Sequence, residues 1–425
     1  MRRFALSLSL LIASGALAQT GQSLEDRMAK LEEKLEEFEI DKSYDRLHVS
    51  GTFINYLETI KNYSKNATTN AERTDHGDIM SMHVAINFDV NISNNIDFYT
   101  TLGMGKVWNN DGRDGEEQNS YRSYQGSYAY TGTEARFDVA YVRWKTSNEN
   151  WSFALGRMTT RGGPPMNQLD ALSRNGTYPR FGYNAIFDGL AIVRDFKSVL
   201  PQNYSFKTRL FYTPTFYVDD TNRREEARDA DDSPINRRSN QLTWLNEFER
   251  SESSFAKKIS LYSMLWYYDK FYDSAYQSAT REGVEYYRAL SHTLYLGFEN
   301  ILQTGTNFSW SNLRVNSKSD GSSSNHSDAH LFNLNYTFPN SYVIGVEQIF
   351  TDRAYYIDDW AYLQFNDFYQ RPSSSGQHWF GSIPFPNRQV LRLGVYNYRA
   401  KVNTFAGYES KESTQNYYVS YRIDF

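Results

Sequence analysis

The sequence predicts an all-β protein: a transmembrane antiparallel β-barrel of about 16 strands, preceded by a short N-terminal coiled-coil helix. Three observations predict this fold. They are an export signal, repeated segments in which apolar and polar residues alternate, and a last strand that ends on an aromatic residue. Alternation with period 2 gives a strand one apolar and one polar face, which is what the wall of a membrane-spanning barrel requires.

Residues 1–18 have the composition of a signal peptide. Arg2 and Arg3 precede an apolar run, and Ala16 and Ala18 supply the small residues of a cleavage site. The chain contains no cysteine, which excludes disulfides, thiolate metal sites and covalently attached haem. We therefore predict an exported protein without a cofactor.

Residues 19–45 are predicted to form a periplasmic coiled coil. Their apolar residues are spaced alternately by four and three positions, which is an a/d heptad seam. These residues are Leu24, Met28, Leu31, Leu35 and Phe38. A seam this short is not stable in an isolated helix, so we interpret it as a contact that joins barrels into a homotrimer. A solvated amphipathic linker is the alternative, and the seam is also compatible with a dimer.

The composition also favours a barrel. The chain has 34 Tyr, 27 Phe and 8 Trp, yet its mean hydropathy is only −0.67. After residue 18 no stretch approaches the roughly 18 to 20 apolar residues that a membrane helix needs. The net charge of −5 is mild and argues against a nucleic-acid partner.

Alternation begins near residue 46, and we assign residues 46–425 to the barrel. The clearest case runs from Met80 to Ile92, where seven apolar positions share one face. Other strands are predicted near 47–57, 96–104, 135–146, 150–159, 186–196, 204–212, 241–250, 255–268, 291–299, 305–315, 332–338, 342–350, 389–400 and 417–425. Because Trp360 to Phe368 fits a strand or a loop equally well, 14 or 18 strands also remain compatible with the even number that such barrels have.

The connections alternate between short turns and long polar segments. Short turns are predicted at 93–95, 147–150, 251–254 and 339–341, and long segments near 58–78, 109–134, 160–185, 216–239, 270–289, 316–327 and 351–388. Outer-membrane barrels have short periplasmic turns and long outer loops. Both ends of the barrel domain are therefore expected on the periplasmic side.

The third long segment, about 160–185, is unusually rich in Gly and Pro, including Gly162-Gly163-Pro164-Pro165. These residues favour tight turns, and we predict that the segment folds into the lumen as a constriction. The charged candidates for its lining are Arg157, Arg161, Arg174, Arg180, Asp170 and Asp188. Guanidinium groups opposite carboxylates favour small anions. A solvated outer loop with ordinary surface charge is the alternative.

This region also resembles a family of largely uncharacterised Gram-negative outer-membrane porins, which combine a signal peptide, a short N-terminal coil and a barrel. The resemblance rests on Gly156-Arg157-Met158-Thr159-Thr160, Gly162-Gly163-Pro164-Pro165, Asn175-Gly176-Thr177-Tyr178-Pro179 and Phe187-Asp188-Gly189. It implies a channel in the outer membrane of a Gram-negative bacterium, with no catalytic residues. Together with the polar strand faces, it predicts passive diffusion of small hydrophilic solutes or ions.

The last nine residues, Tyr417 to Phe425, place aromatic and aliphatic residues at every second position. This ending resembles the C-terminal strand of Gram-negative outer-membrane barrels. The resemblance implies that the barrel-assembly machinery recognises Tyr421, Ile423 and Phe425 and inserts the barrel among outer-membrane lipids.

Other clusters give weaker hypotheses. His326, Asp328 and His330 occupy alternate positions and are weak candidates for a metal site; solvated loop side chains are the alternative. The aromatic residues between 351 and 385 suit either a sugar-binding slide or an interface girdle. His83 and His292 are predicted to face the lumen.

Other functions must be weighed against the channel. The Asp–His or Ser–His pairs of outer-membrane proteases and phospholipases are not visible, so we do not predict an enzyme. The rival from another class is a structural or receptor barrel that binds or sheathes a partner protein. A third possibility is an adhesin that acts through its long loops.

Overall fold

The structure is a computed structural model that describes residues 46–66, 69–107, 136–159, 186–214, 240–272, 286–319, 325–351, 374–403 and 409–425. Within these residues the chain forms one closed barrel of sixteen antiparallel strands. The strands are β1 Leu47–Asn66, β2 Glu72–Ser93, β3 Ile96–Val107, β4 Arg136–Lys145, β5 Trp151–Thr159, β6 Ile186–Asp195, β7 Tyr204–Thr213, β8 Gln241–Ser251, β9 Ala256–Tyr272, β10 Tyr286–Ile301, β11 Thr306–Ser319, β12 Asn325–Thr337, β13 Val343–Thr351, β14 Ser374–Phe385, β15 Gln389–Asn403 and β16 Glu409–Asp424. No helix in the described part of the chain is long and apolar enough to cross a membrane.

Each strand pairs with the next along the chain, and the last pairs with the first. The β1–β16 seam runs from Thr52 opposite Asp424 to Asn66 opposite Ser410. Gly51 and Phe425 extend it by two backbone hydrogen bonds of 2.8 and 2.9 Å. The predicted all-β antiparallel barrel of sixteen strands is therefore confirmed. The predicted coil of residues 19–45 lies outside the described residues.

Short connections gather at one end of the barrel, as the alternation of turns and loops predicts. They are residues 94–95, 146–150, 196–203, 252–255, 302–305, 338–342 and 386–388. In the last of them, Asn387 and Arg388 have φ angles of 61° and 55°, the left-handed conformation that tight hairpin turns use. Gly51 and Phe425 pair at this same end.

Two predicted loops are wrong. Most of the segment 58–78 is strand, because β1 continues to Asn66 and β2 begins at Glu72. The segment 351–388 contains β14, whose apolar residues are interrupted by Gly376 and Gly381 and so do not show a clear alternation. The ambiguous stretch from Trp360 to Phe368 lies outside the described residues.

The outward face of the wall is apolar and exposed. Leu57, Val419, Leu393 and Ile344 lie in one row across β1, β16, β15 and β13, and each is about half exposed. Further from the short turns the outward row becomes polar, with Gln348, Gln377, Asn397, Gln415 and Lys61 side by side. The barrel therefore carries an apolar band with a polar upper border on its outer surface, as barrels that face lipid do.

Candidate functional site on the inner wall of the barrel

The inward positions nearest the short turns carry charged side chains. These side chains face inward because successive residues of a strand point to opposite faces, and their neighbours in the strand are the apolar residues of the outer face. The ion pairs at this level are Asp97 with Arg143 at 2.7 Å and with Lys145 at 2.9 Å, Asp195 with Lys207 at 3.3 Å, Glu247 with Arg209 at 2.6 Å, and Glu249 with Lys258 at 2.7 Å. We call them the charged ladder. They give β3–β9 a hydrophilic inner surface.

A second polar group lies on the opposite sector of the inner wall, where it is fully buried. The imidazole of His378 is 2.9 Å from Glu347 through Nδ1 and 2.9 Å from the Tyr418 hydroxyl through Nε2. The amide of Asn333 donates to the other oxygen of Glu347 at 3.0 Å, and the His378 ring stacks on Tyr396 at 3.8 Å. We call these five residues the His378 cluster. Buried polar groups are stable in such a place only when they are hydrogen-bonded.

The inner wall also carries apolar residues that are buried and pack tightly. They are less than a tenth exposed and occur on strands all around the barrel. This apolar belt comprises Tyr56, Ile60, Val139, Met158, Ala191, Phe211, Leu245, Met264, Leu313, Leu331, Ile349 and Tyr398. The belt is not exclusively apolar, because Thr213, Thr243, Ser291 and Thr293 on the same inner face are equally buried. The sequence does not reveal the belt, because its residues are scattered singly among polar ones.

The structure corrects part of the predicted constriction. Arg157 and Asp188 face each other across β5 and β6 and form an ion pair of 3.2 Å. They share the face of Leu155 and Leu190, which are exposed on the outer surface. The assignment of these two residues to the pore was wrong, because strand parity turns both side chains outward. Arg161, Arg174, Arg180 and Asp170 lie outside the described residues.

This placement gives a first prediction. Replacing Arg157 by Ser is expected to leave the ion selectivity of a reconstituted channel unchanged, because its charge lies outside the wall beside Asp188. The measurement is the reversal potential across a planar bilayer in a salt gradient. A shift toward cations in this single variant would contradict the outward placement.

The candidate metal residues His326, Asp328 and His330 also point outward, on the face of Phe332 and Leu334. Each contacts a side chain on β11 instead of converging on a common point. The contacts join His326 to Asn316, Asp328 to Arg314 at 3.0 and 3.3 Å, and His330 to Asn312 at 3.3 Å. In the described ranges no group of three His, Cys, Asp or Glu side chains is placed to hold a metal ion. The structure thus does not bring these three residues together as a ligand set.

The structure also bears on the two histidines predicted in the lumen and on the aromatic group. His292 is not in the lumen, because it lies on the outward face of β10 between Leu265 and Arg314 and contacts the Ser263 hydroxyl at 3.0 Å. The side chain of His83 is outside the described part. Of the aromatic group at 351–385, Trp379 is exposed on the outer surface and Phe380 is buried on the inner one. The aromatic residues of this group between 352 and 373 lie outside the described residues.

Other polar side chains also lie on the inner face, among them Lys207, Arg209, Asn333 and Asn335. Tyr421 and Ile423 of β16 and the following Phe425 alternate with Arg422 and Asp424, which bond to each other at 3.0 Å. The Phe425 ring lies against Gly51. Recognition of these residues by the assembly machinery stays a prediction.

Comparison with known proteins gives one family match and several similar folds. A family model described as a protein of unknown function (DUF3373) matches residues 73–212. No curated protein matches the chain.

Among solved structures, OprB of Pseudomonas putida has a TM-score of 0.54 at 9% identity, with 91% of this chain and 96% of that one covered. OmpF of Salmonella typhi has a TM-score of 0.48 at 10% identity, with 89% and 97% covered. An anion-selective porin from Comamonas acidovorans has a TM-score of 0.47 at 11% identity, with 89% and 100% covered. The likeness to OprB supports the barrel fold, and an identity this low supports nothing beyond the fold.

Proposed function

We propose that this chain forms a channel in the outer membrane of a Gram-negative bacterium, through which small hydrophilic solutes or ions diffuse passively. The observation that carries the proposal is the polarity of the wall. Exposed apolar side chains cover the outside, and charged side chains line the inside near the short turns. That distribution suits a barrel with lipid around it and water within it, and it would be unfavourable in water alone.

The mechanism is physical and involves no catalysis. Charged and hydroxyl groups on the inner wall replace part of the hydration shell of a passing solute, so the solute crosses without entering lipid. The third outer segment, near 160–185, is proposed to set the size limit, with Arg161, Arg174, Arg180 and Asp170 as its charged residues. Its Gly and Pro content is the support for this part of the proposal.

Assembly is proposed to follow the porin pattern. Residues 1–18 would direct export, the barrel-assembly machinery would recognise Tyr421, Ile423 and Phe425, and the heptad seam in residues 19–45 would join three copies. The support is the sequence pattern of each segment.

A structural or receptor barrel that binds or sheathes a partner protein is the second candidate. The apolar belt favours it, because side chains such as Leu313 and Ile349 are fully buried on the inner wall. An open aqueous pore would leave inward side chains at this level in contact with water. A barrel that is filled at the belt would conduct poorly and would act through its surface or its partner.

Single-channel recording in planar bilayers tests the two candidates. The protein is refolded in detergent, and its fold is verified by the shift in gel mobility on heating. Uniform conductance steps, occurring in threes, would support the trimeric channel. A silent bilayer from correctly folded protein would overturn the channel and favour the partner-binding barrel.

A further inference from the structure

The outer face of the barrel carries two arginines beside the short turns. Arg194 and Arg250 are each the last residue but one of their strands, β6 and β8. Each shares the parity of an exposed apolar residue of the same strand, Ile192 for the first and Trp244 for the second. Because side chains of one parity lie on one face of a strand, both arginines lie on the outer surface, at the border of the apolar band.

Aromatic rings contact both guanidinium groups. The guanidinium carbon of Arg194 lies 4.7 Å from the centre of the Trp151 ring and 5.3 Å from that of Phe196, and the guanidinium carbon of Arg250 lies 5.4 Å from the centre of the Tyr204 ring. Contact with a ring face positions a cation without neutralising its charge. Within the part of the chain that the structure describes, neither guanidinium is within ion-pair distance of a carboxylate, and Nε of Arg250 is buried without a hydrogen-bond partner.

Further rings connect the two arginines into one patch. The Phe196 ring lies 5.0 Å from the ring of Phe206 on β7. On the same face of β7, the Tyr204 ring lies 5.9 Å from the ring of Phe248, and Phe206 and Phe248 are opposite each other across β7 and β8. We call Arg194, Arg250 and these five rings, with Trp151, the arginine–aromatic patch.

Apolar side chains continue from this patch along the outer wall. Leu190, Ile192, Leu210 and Trp244 are between 40% and 49% exposed. The patch therefore places two positive charges where an exposed apolar surface ends. An anionic phospholipid has the complementary arrangement, because its negatively charged phosphate stands at the end of its acyl chains.

We infer that the arginine–aromatic patch binds anionic phospholipids, with lipid phosphates at Arg194 and Arg250 and acyl chains on the apolar band. The inference rests on the proposed placement of the barrel in an outer membrane, and it assigns the site to the leaflet on the side of the short turns. Guanidinium groups pair with phosphate oxygens through their N–H donors. Trp and Tyr rings are enriched at the membrane–water interface, where such headgroups lie.

Lipid binding in detergent tests the patch. The probes are phosphatidylglycerol, which is anionic, and phosphatidylcholine, which is zwitterionic, with the same acyl chains; native mass spectrometry counts the lipid bound to the refolded protein. The unmodified protein should prefer phosphatidylglycerol, and the preference should fall about fivefold in Arg194→Ser and in Arg250→Ser, as expected for one cation at an anionic lipid surface. Arg314→Ser is the matched control and should keep the preference, because Arg314 lies on the outer face but pairs with Asp328 at 3.0 Å.

A conservative variant separates charge from packing. Arg194→Lys/Arg250→Lys keeps both positive charges and should retain most of the preference for phosphatidylglycerol. The shift in gel mobility on heating verifies that each variant is folded. Equal loss of preference in the serine and lysine variants would overturn the recognition of phosphate by charge.

The remaining outcomes separate this site from the channel. No preference in the unmodified protein, or an unchanged preference in both serine variants, would overturn the lipid site and leave the channel to its conductance test. A serine variant that loses oligomeric mass instead of bound lipid would identify a second copy of the chain as the occupant and overturn the lipid site. A silent bilayer from protein that prefers phosphatidylglycerol would overturn the channel and leave the lipid site standing.

Discussion

Replacing Glu347 by Ala is expected to lower the free energy of unfolding by about 3 to 5 kcal/mol. The Glu347 carboxylate accepts hydrogen bonds from Asn333 at 3.0 Å and faces His378 at 2.9 Å, and all three side chains are buried. Without this carboxylate, the His378 imidazole and the Asn333 amide each lose one hydrogen bond inside the buried wall. Each bond that is not replaced costs the full desolvation free energy of the buried group. The measurement is the urea concentration at which half of the barrel in detergent is unfolded. Unfolding is monitored by tryptophan fluorescence and by gel mobility.

Two controls sharpen this prediction. Glu72→Ala removes one partner of the exposed Lys65–Glu72 pair, which has a separation of 2.8 Å, and it should leave the urea midpoint nearly unchanged because water screens the pair. The double variant Glu347→Leu/His378→Phe replaces the carboxyl group and the imidazole by apolar groups and should recover part of the loss. Equal destabilisation by Glu347→Ala and Glu72→Ala would contradict the assigned role of the His378 cluster.

Replacing Gly156 by Ala is the second substitution with a large expected effect. Gly156 has a φ of 128°, a conformation that L side chains rarely adopt, and an added Cβ would lie 2.4 Å from the Ala140 carbonyl oxygen. That neighbour is backbone and cannot rotate away. We expect a loss of about 1 to 3 kcal/mol of stability from the strained conformation alone, read as a lower urea midpoint and a smaller folded fraction after refolding.

Gly381→Ala is the matched control. Gly381 also lies in a strand, but its φ is ordinary and the nearest atom to an added Cβ is the Val343 carbonyl oxygen at 3.6 Å. The midpoint of this variant should stay close to that of the unmodified protein or rise slightly, because Ala restricts the unfolded chain more than Gly does. If both variants lose stability equally, the cause is general to glycine replacement and not the geometry at Gly156.

Gly156 also connects the sequence to the structure. The motif around residues 156–189 stands out in the sequence by its glycines, and the structure pairs Gly156 directly with Gly189 across β5 and β6. A Cβ at Gly189 would lie 2.2 Å from the Tyr212 carbonyl oxygen. Both glycines therefore serve close backbone packing within the wall, whatever the segment between them does.

The sequence by itself determines the fold class and most of the strands. A barrel wall whose outer face is apolar and whose inner face is not imposes period 2 on every strand, and that period is visible locally from Met80 to Ile92 and from Tyr417 to Phe425. Where the alternation of apolar and polar residues is weak, the strands are predicted less completely. Strand β14 was missed because glycines occupy its face positions, and β1 and β2 were cut short because their ends are polar on both sides.

Only the tertiary structure decides which side chains meet. Glu347, His378 and Tyr418 are separated by 31 and 40 residues, and nothing local in the sequence joins them. Likewise, the sequence predicts that Arg157 and His292 face the lumen, and only the pairing with neighbouring strands shows that their side chains lie on the outer face. The physical reason is that register and closure depend on hydrogen bonds between strands, and a shift of one residue in a strand would turn each of its side chains to the opposite face.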